Sequence, residues 1–94
     1  MPTQDPQIIH DMEAHRFKIV VGAHTAVLDY RKDGGTILFL HTGVPPALEG
    51  QGIGSKLVKA GLDYARANGL KVQTLCWFVD GYLNRHPEYQ DLLG

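Results

Sequence analysis

The sequence has little cysteine, no surplus of charge and no long apolar run, and each shortage excludes a class of protein. One cysteine among 94 residues cannot form an internal disulfide or a thiolate cluster for a metal. Nine basic residues against ten acidic ones leave no positive excess for binding duplex nucleic acid. Lys18, His24 and Asp29 interrupt the longest apolar stretches, which fall short of the roughly 20 residues of a membrane helix. We therefore expect neither a nucleic-acid partner nor a membrane partner.

Two further absences concern metal binding and secretion. The five histidines include no pair four residues apart with a glutamate between them, the spacing typical of a helical zinc site, so we expect no metal. A basic segment followed by an apolar stretch, the mark of a secretory signal, does not occur near residue 1. The expected protein is an intracellular, cytoplasmic monomer, with a nuclear location left open.

The length of the chain predicts one domain, because a second unit would bury too little apolar surface to be stable. Residues 1–8 are assigned to a flexible N-terminal tail, since the start of the chain carries prolines and mostly polar residues. Residues 9–94 are assigned to the single domain.

The first half of that domain has the pattern of an antiparallel meander. Residues 16–21 and 25–31 alternate polar and apolar side chains, as half-buried strands do. Asp33-Gly34-Gly35 supplies residues that tolerate a positive φ in a hairpin. A third strand is predicted over residues 36–42, and its unbroken run Ile37-Leu38-Phe39-Leu40 predicts that both of its faces are covered.

The third predicted strand is followed by a break and then by an α-β-α arrangement. Pro45 and Pro46 cannot donate ladder hydrogen bonds, so pairing should stop there and leave a gap beside the strand end. Apolar residues at helical spacing predict a helix over 52–68. After it the pattern predicts a strand over 71–78, a helix over 79–86 and a last turn over 88–93. The fold class is therefore α/β of the α+β kind, a meander followed by α-β-α.

Three glycines at alternate positions, Gly50, Gly52 and Gly54, lie directly before the predicted long helix. Free backbone N–H groups and the positive end of a helix dipole together favour a phosphate group at such a place. A simple turn is an equally good interpretation of the glycines alone. The order of residues does not fit a P-loop, because Ser55 precedes Lys56, and the acidic residue of a dinucleotide fingerprint is missing.

The segment Glu49-Gly50-Gln51-Gly52-Ile53-Gly54 resembles the Q/R-x-x-G-x-G/A acyl-CoA signature of the GNAT N-acetyltransferase superfamily. The likeness extends from His41 to Leu92, includes Cys76 and the segment Tyr82–Tyr89, and is to a subgroup of very small single-domain GNAT-like proteins. Glu49 departs from the signature, where Gln or Arg is usual. If that side chain helps to hold the pyrophosphate, a carboxylate there repels it, and binding must rely on backbone N–H groups.

The resemblance implies a minimal GNAT fold with a splayed central sheet, and acetyl-CoA or coenzyme A as the bound donor. The pantetheine arm would pair with the end of the third strand like an added strand, and the pyrophosphate would bind at the glycine loop. Asn84 would reach the arm or its phosphates, although a solvated helix face also explains that residue. The implied cofactor-binding residues are Thr42, Gly43, Val44, Gly50, Gln51, Gly52, Ile53, Gly54, Ser55 and Asn84.

Three residues are candidates for the chemistry of acetyl transfer. His41, at the end of the third strand, has a side chain that suits a general base near neutral pH, or it is a histidine bonded to a neighbouring carbonyl. Cys76, placed at the end of the fourth strand, is a small apolar filler, a contact of the thioester, or a nucleophile that carries the acetyl group. Tyr82 lies one position from where many GNAT enzymes place the tyrosine that protonates the leaving thiolate.

The expected function is acetyl-CoA-dependent transfer of an acetyl group to an amine by direct attack in a ternary complex. An open acceptor face would suit a lysine or an N-terminus on a protein or peptide, and a polyamine is left open as another acceptor. The alternative is an acyl-CoA-binding module without turnover, indicated by Glu49 and by the displaced tyrosine.

Overall fold

The computed structural model describes residues 7–94, which form five strands, two α-helices and two short 3₁₀ helices. In chain order these are β1 (Ile8–Asp11), β2 (Arg16–Val21), β3 (His24–Asp33), β4 (Thr36–Gly43), a 3₁₀ helix (Pro46–Leu48), α1 (Ile53–Ala67), β5 (Lys71–Thr74), α2 (Trp77–Arg85) and a second 3₁₀ helix (Pro87–Leu92).

The strands form one mixed sheet in the order β1-β2-β3-β4-β5. The first four pair antiparallel, and β5 pairs parallel to β4 after the chain crosses over through α1. Gly22 and Gly34 adopt positive φ in the β2–β3 and β3–β4 turns, which is the conformation that tight hairpins require. The predicted α+β meander followed by α-β-α is confirmed.

Helix α1 covers one face of this sheet. Its buried residues are Ile53, Gly54, Leu57, Val58, Gly61, Leu62 and Ala65. A β-carbon at Gly61 would lie 2.8 Å from the ring of Phe39, so glycine at this position lets the helix approach the sheet closely. The helix ends where Gly69 takes a positive φ of 66°.

The opposite face of the sheet is more open. In β4, Ile37 and Phe39 are fully buried on the helix side, whereas Leu38 and Leu40 are only half-buried. The prediction that both faces of this strand are covered is therefore wrong for the outer face. The second helix does not cover that face, because α2 and the 3₁₀ helix after it pack on the α1 side.

The last turns of the chain are held against α1 by a hydrogen bond and an ion pair. The hydroxyl of Tyr89 donates to Asp63 at 2.6 Å, and Arg66 forms an ion pair with Asp91 at 2.9 Å. Tyr82, Leu83, Tyr89 and Leu92 join the single core cluster that α1 forms with the sheet. This arrangement places the start of α2 beside the start of α1.

Strand β1 was not predicted. Its residues pair with β2 from Ile8↔Ile19 to Asp11↔Arg16, and His10 bonds the hydroxyl of Tyr30 at 2.6 Å. Ile8, which the sequence analysis assigned to the tail, is therefore the first residue of a strand. Residues 1–6 of the predicted tail lie outside the described residues.

Strand β5 is shorter than predicted and ends at Thr74 rather than Phe78. The hydroxyl of Thr74 accepts a hydrogen bond from the backbone N–H of Cys76 at 2.9 Å and donates to the carbonyl of the same residue at 3.1 Å. These bonds turn the chain out of the sheet. Trp77 and Phe78, predicted as strand, form the first turn of α2.

Candidate functional site

A cavity of about 560 Å³ opens where β4 and β5 separate. Pairing between these strands stops at Phe39↔Thr74, while β4 continues to Gly43. The gap predicted beside this strand end is therefore present. The lining residues are Leu40, His41, Thr42, Val44, Leu48, Glu49, Gly50, Gly52, Ile53, Gly54, Ser55, Leu75, Cys76, Trp77 and Phe78. We call this space the splay cavity.

One wall of the splay cavity is the glycine loop before α1. Gly50 and Gly52 have φ values of 81° and 73°, in the left-handed region that side chains disfavour. The first helical hydrogen bond runs from the N–H of Lys56 to the carbonyl of Gly52. The N–H groups of residues 53–55 therefore have no acceptor within the helix and form a positive helix end at the cavity.

The charge of the lining favours backbone recognition of an anion. Glu49 is exposed at the cavity wall, and the lining drawn from the described residues contains no lysine or arginine. The first turn of α1 carries no acidic side chain that would compete for the free N–H groups. Phosphate binding at this wall would thus depend on the helix end and not on a cationic side chain.

Gly54, in the first turn of α1, is the point at which this helix contacts α2. A β-carbon at Gly54 would lie 2.8 Å from the ring of Phe78, so the two helices meet at this point with no room for a side chain. Gly54 is already buried, unlike the exposed Gly50 and Gly52. Its role is to bring Phe78 against the start of α1 and close one side of the cavity.

The floor of the cavity is formed by Thr42 and Cys76. The Oγ1 of Thr42 lies 3.4 Å from the Sγ of Cys76, which is 7% exposed. Cys76 does not end a strand, as the sequence predicted; it precedes α2, and its carbonyl accepts the first helical hydrogen bond, from Asp80. The thiol thus lies directly under the end of β4.

His41 lies on the other face of β4. Thr42 pairs with the buried Leu28, and His41 pairs with Asp29, so the two neighbours point to opposite faces of the sheet. The ring of His41 folds along the strand, its Nε2 lying 3.1 Å from the position of a β-carbon built on Gly43. His41 is exposed, and it reaches the cavity from the open face of the sheet.

Sequence comparison decides the family. The sequence profile of the GCN5-related N-acetyl-transferase family matches residues 16–92 of this chain. The chain belongs to the GNAT family. Protein NATD1 of Gallus gallus is 38% identical over 84 residues, 86% of this chain and 76% of that protein. Protein NATD1 of Xenopus tropicalis is 34% identical over 89 residues, 92% of this chain and 82% of that protein.

A solved structure has the same GNAT fold. The solution structure of a GCN5-like protein from Staphylococcus aureus superimposes with a TM-score of 0.76 at 34% identity. The similarity covers 98% of this chain and 91% of that chain. The expected GNAT fold is thereby confirmed across nearly the whole length of the chain.

Two of the residues predicted from GNAT enzymes lie away from the splay cavity. Tyr82 is buried, and its ring stacks on His86 with the centroids 3.8 Å apart. Burial raises the pKa of the Tyr82 hydroxyl. Asn84 is exposed on α2 and is not part of the lining. Neither residue is among those that line the cavity.

Gln51 and Gly43 are next to the cavity but not among its lining residues. The Gln51 side chain donates to the carbonyl of Ala47 at 3.3 Å and so braces the loop. The lining also includes apolar residues that the sequence analysis did not single out, namely Leu40, Leu48, Leu75, Trp77 and Phe78. No local pattern marks them, because they meet only when α2 folds back beside α1.

Neither a metal cluster nor a membrane-spanning helix occurs among the described residues. Within residues 7–94, no cluster of three or more His, Cys, Asp or Glu side chains has the arrangement of a metal site. None of the helices in the same range is long and apolar enough to span a membrane.

Proposed function

We propose that this GNAT-family chain transfers the acetyl group of acetyl-CoA to an amine on a protein or peptide. The observation that carries the proposal is the meeting of two features in one cavity: the free N–H groups at the start of α1 and the unpaired end of β4. The first suits a pyrophosphate, and the second suits an amide-containing arm that pairs like a strand.

The cofactor would bind in the splay cavity from the helix end to the floor. Its pyrophosphate would accept hydrogen bonds from the N–H groups of residues 53–55, and its pantetheine amides would pair with the backbone of Thr42 to Val44. The thioester would then lie near Thr42 and Cys76, which form the floor. Apolar side chains of the lining, among them Leu48, Ile53 and Phe78, suit the pantetheine arm.

The amine would approach the thioester from the open face of the sheet, where His41 is exposed. His41 would take the ammonium proton, the neutral nitrogen would attack the acetyl carbon, and a C–N bond would replace the C–S bond. Coenzyme A would leave as the thiolate, and the second proton of the amine would pass to that thiolate as the amide forms. General-base catalysis of this kind contributes about 10²–10⁴-fold.

Direct attack is supported over a route through an acetylated Cys76. A covalent route needs a base within hydrogen-bond reach of the thiol. The neighbour that the thiol contacts is the hydroxyl of Thr42, and the ring of His41 lies on the opposite face of β4. Cys76 is accordingly assigned to the floor of the cavity, in contact with the thioester.

A second candidate function, acyl-CoA binding without turnover, has one specific observation in its favour. Tyr82, the residue proposed from the sequence as proton donor to the leaving thiolate, faces the core and stacks on His86. Under this alternative the chain would bind acetyl-CoA in the same cavity and transfer nothing.

The test has two stages. Acetyl-CoA should raise the melting temperature in a concentration-dependent way, as mass action requires of a ligand of the native state. Incubation with a lysine peptide should then give an acetylated peptide detectable by its mass. Stabilisation without acetylated peptide would favour the binding module, and the absence of stabilisation would contradict both functions.

A further inference from the structure

The two most exposed large apolar side chains of the described residues flank Cys76 along the chain and line the splay cavity. Trp77 is 82% exposed and Leu75 is 74% exposed, while Cys76 between them is 7% exposed. Both side chains belong to the cavity lining. An exposed apolar patch of this kind, beside a functional site, indicates an interaction surface.

The backbone that presents these side chains is held rigidly. The N–H of Leu75 donates to the carbonyl of Phe39 at 2.9 Å, which is the last bond of the β4–β5 ladder. The side chain of Thr74 bonds both backbone groups of Cys76, and the N–H of Asp80 bonds the carbonyl of Cys76 as α2 begins. We call residues 75–77 the Leu-Cys-Trp turn. A partner that binds it need not order a mobile loop first.

The Leu-Cys-Trp turn lines the cavity together with residues of the face from which the acceptor amine is proposed to approach. Leu40 and His41 of the neighbouring strand also line the cavity, and both belong to the open face of the sheet. The Trp77 ring packs edge-on against Phe78, whose own ring closes the cavity at Gly54. The indole thus packs against Phe78 while most of its surface stays exposed.

We propose that the Leu-Cys-Trp turn selects the acceptor, and that the acceptor is a polypeptide whose reacting amine is flanked by large apolar side chains. This inference rests on the proposed acetyl transfer in the splay cavity. Leu75 and Trp77 would bury the flanking side chains while the amine reaches the thioester beside His41. Aromatic residues that are exposed before binding and buried afterwards commonly anchor such contacts.

The emission of Trp77 tests the proposal directly, because it is the single tryptophan of the chain. The probes are two capped peptides, Ac-Ala-Leu-Lys-Leu-Ala-amide and Ac-Ala-Ser-Lys-Ser-Ala-amide, added to protein saturated with coenzyme A. The leucine peptide should shift the emission to shorter wavelength and bind about tenfold more tightly than the serine peptide. Leu75→Ser, which keeps the reporter, should remove this difference. Equal responses of the wild-type protein to the two peptides would overturn the proposal.

The rate of acetylation of the same peptides, measured by mass spectrometry, gives a second test of the proposal. The ratio of kcat/KM for the leucine peptide to that for the serine peptide should be about ten in the wild type and near one in Leu75→Ser and Trp77→Ala. Met12→Ala removes another exposed apolar side chain, at the far edge of the sheet, and should leave the ratio unchanged. A second pair of peptides, Leu-Leu-Ala-Arg-Ala-amide and Ser-Ser-Ala-Arg-Ala-amide, has a free N-terminus and no lysine. Comparing the acetylation of the two pairs shows whether the acceptor is an N-terminal amine or a lysine side chain.

The outcomes separate this proposal from the proposed function. If neither peptide is acetylated but the emission response to the leucine peptide persists and is lost in Leu75→Ser, acetyl transfer fails and the docking surface stands. If the ratio of kcat/KM is the same in the wild type, Leu75→Ser and Trp77→Ala, acetyl transfer stands and the docking surface fails. If Trp77→Ala abolishes thermal stabilisation by acetyl-CoA, the indole belongs to the cofactor site and the proposal is overturned.

Discussion

The hydroxyl of Thr42 and the thiol of Cys76 meet at 3.4 Å across the gap between β4 and the turn before α2. This contact places both groups on the helix side of the sheet. His41, the next residue along β4, points to the other side. The two side chains therefore leave the sheet on opposite faces, which is the physical reason to prefer direct attack, with His41 as the proposed base, over a covalent route.

Gly52→Ala should abolish tight binding of acetyl-CoA. Gly52 has a φ of 73° and open space where a β-carbon would be, so the substitution strains the backbone and places a methyl group at the mouth of the helix end. Gly22→Ala is the matched control, with a φ of 60° and open space in a remote turn. Each should lower the free energy of unfolding by about 1–2 kcal/mol. Calorimetric titration with acetyl-CoA should separate them, and equal affinities would contradict the assignment of the loop.

Gly61→Ala should destabilise the protein although alanine is the better helix former. A β-carbon there would meet the fully buried ring of Phe39 at 2.8 Å, and such overpacking costs about 1–3 kcal/mol. Gly81→Ala in α2 is the control, because its β-carbon would only touch the end of Arg85 at 3.4 Å. That variant should gain about 0.5–1 kcal/mol. Denaturant unfolding measures both, and a stabilised Gly61→Ala would disprove the close packing of α1 on the sheet.

His41→Ala should reduce acetyl transfer by about 10²–10⁴-fold and leave the melting temperature close to that of the wild type, because the side chain is exposed. His24→Ala removes another exposed histidine, at the start of β3, and should keep full activity. Steady-state kinetics with a lysine peptide would make the comparison. Comparable activity in the two variants would exclude His41 as the base.

Stability should fall as the pH drops below neutrality because of His10. Burial, followed by the charge of Lys32, lowers the pKa of this histidine below its usual 6.5, against a smaller opposing effect of Asp11. The neutral ring is thus favoured in the folded state. Its contribution to the free energy of unfolding is complete above pH 6.5 and is lost as the pH falls through the lowered pKa. Unfolding of the wild type and His10→Gln between pH 8 and pH 5 should show a shallower slope for the variant. Parallel curves would show that His10 does not couple folding to protons.

The elements that the sequence predicts well are those that local rules determine. Helix α1 shows a full helical stripe between Gly52 and Gly69, and the hairpin at Gly34 needs only a residue that accepts a positive φ. The splay also follows from a local rule, because Pro45 and Pro46 cannot donate to the ladder. These features and the acyl-CoA signature are enough to define the fold class and one wall of the site.

The features that the sequence does not predict depend on contacts between distant residues. Strand β1 exists because His10 bonds Tyr30 and its backbone pairs with β2. Strand β5 ends at Thr74, although the apolar run continues to Phe78. The hydroxyl of Thr74 bonds both the N–H and the carbonyl of Cys76 and so turns the chain out of the sheet. Tyr82 faces the core because α2 turns back onto α1, a direction that no local pattern fixes.

Transfer of an acetyl group in the splay cavity by direct attack can be followed by mass spectrometry. Protein is mixed with acetyl-CoA carrying a heavy-isotope acetyl group and with a lysine peptide, and the masses of both polypeptides are followed through a single turnover. We expect the label to appear on the peptide while the protein keeps its unmodified mass throughout. A labelled acetyl group on Cys76 that forms and discharges at the rate of peptide acetylation, or a peptide that stays unlabelled, would contradict it.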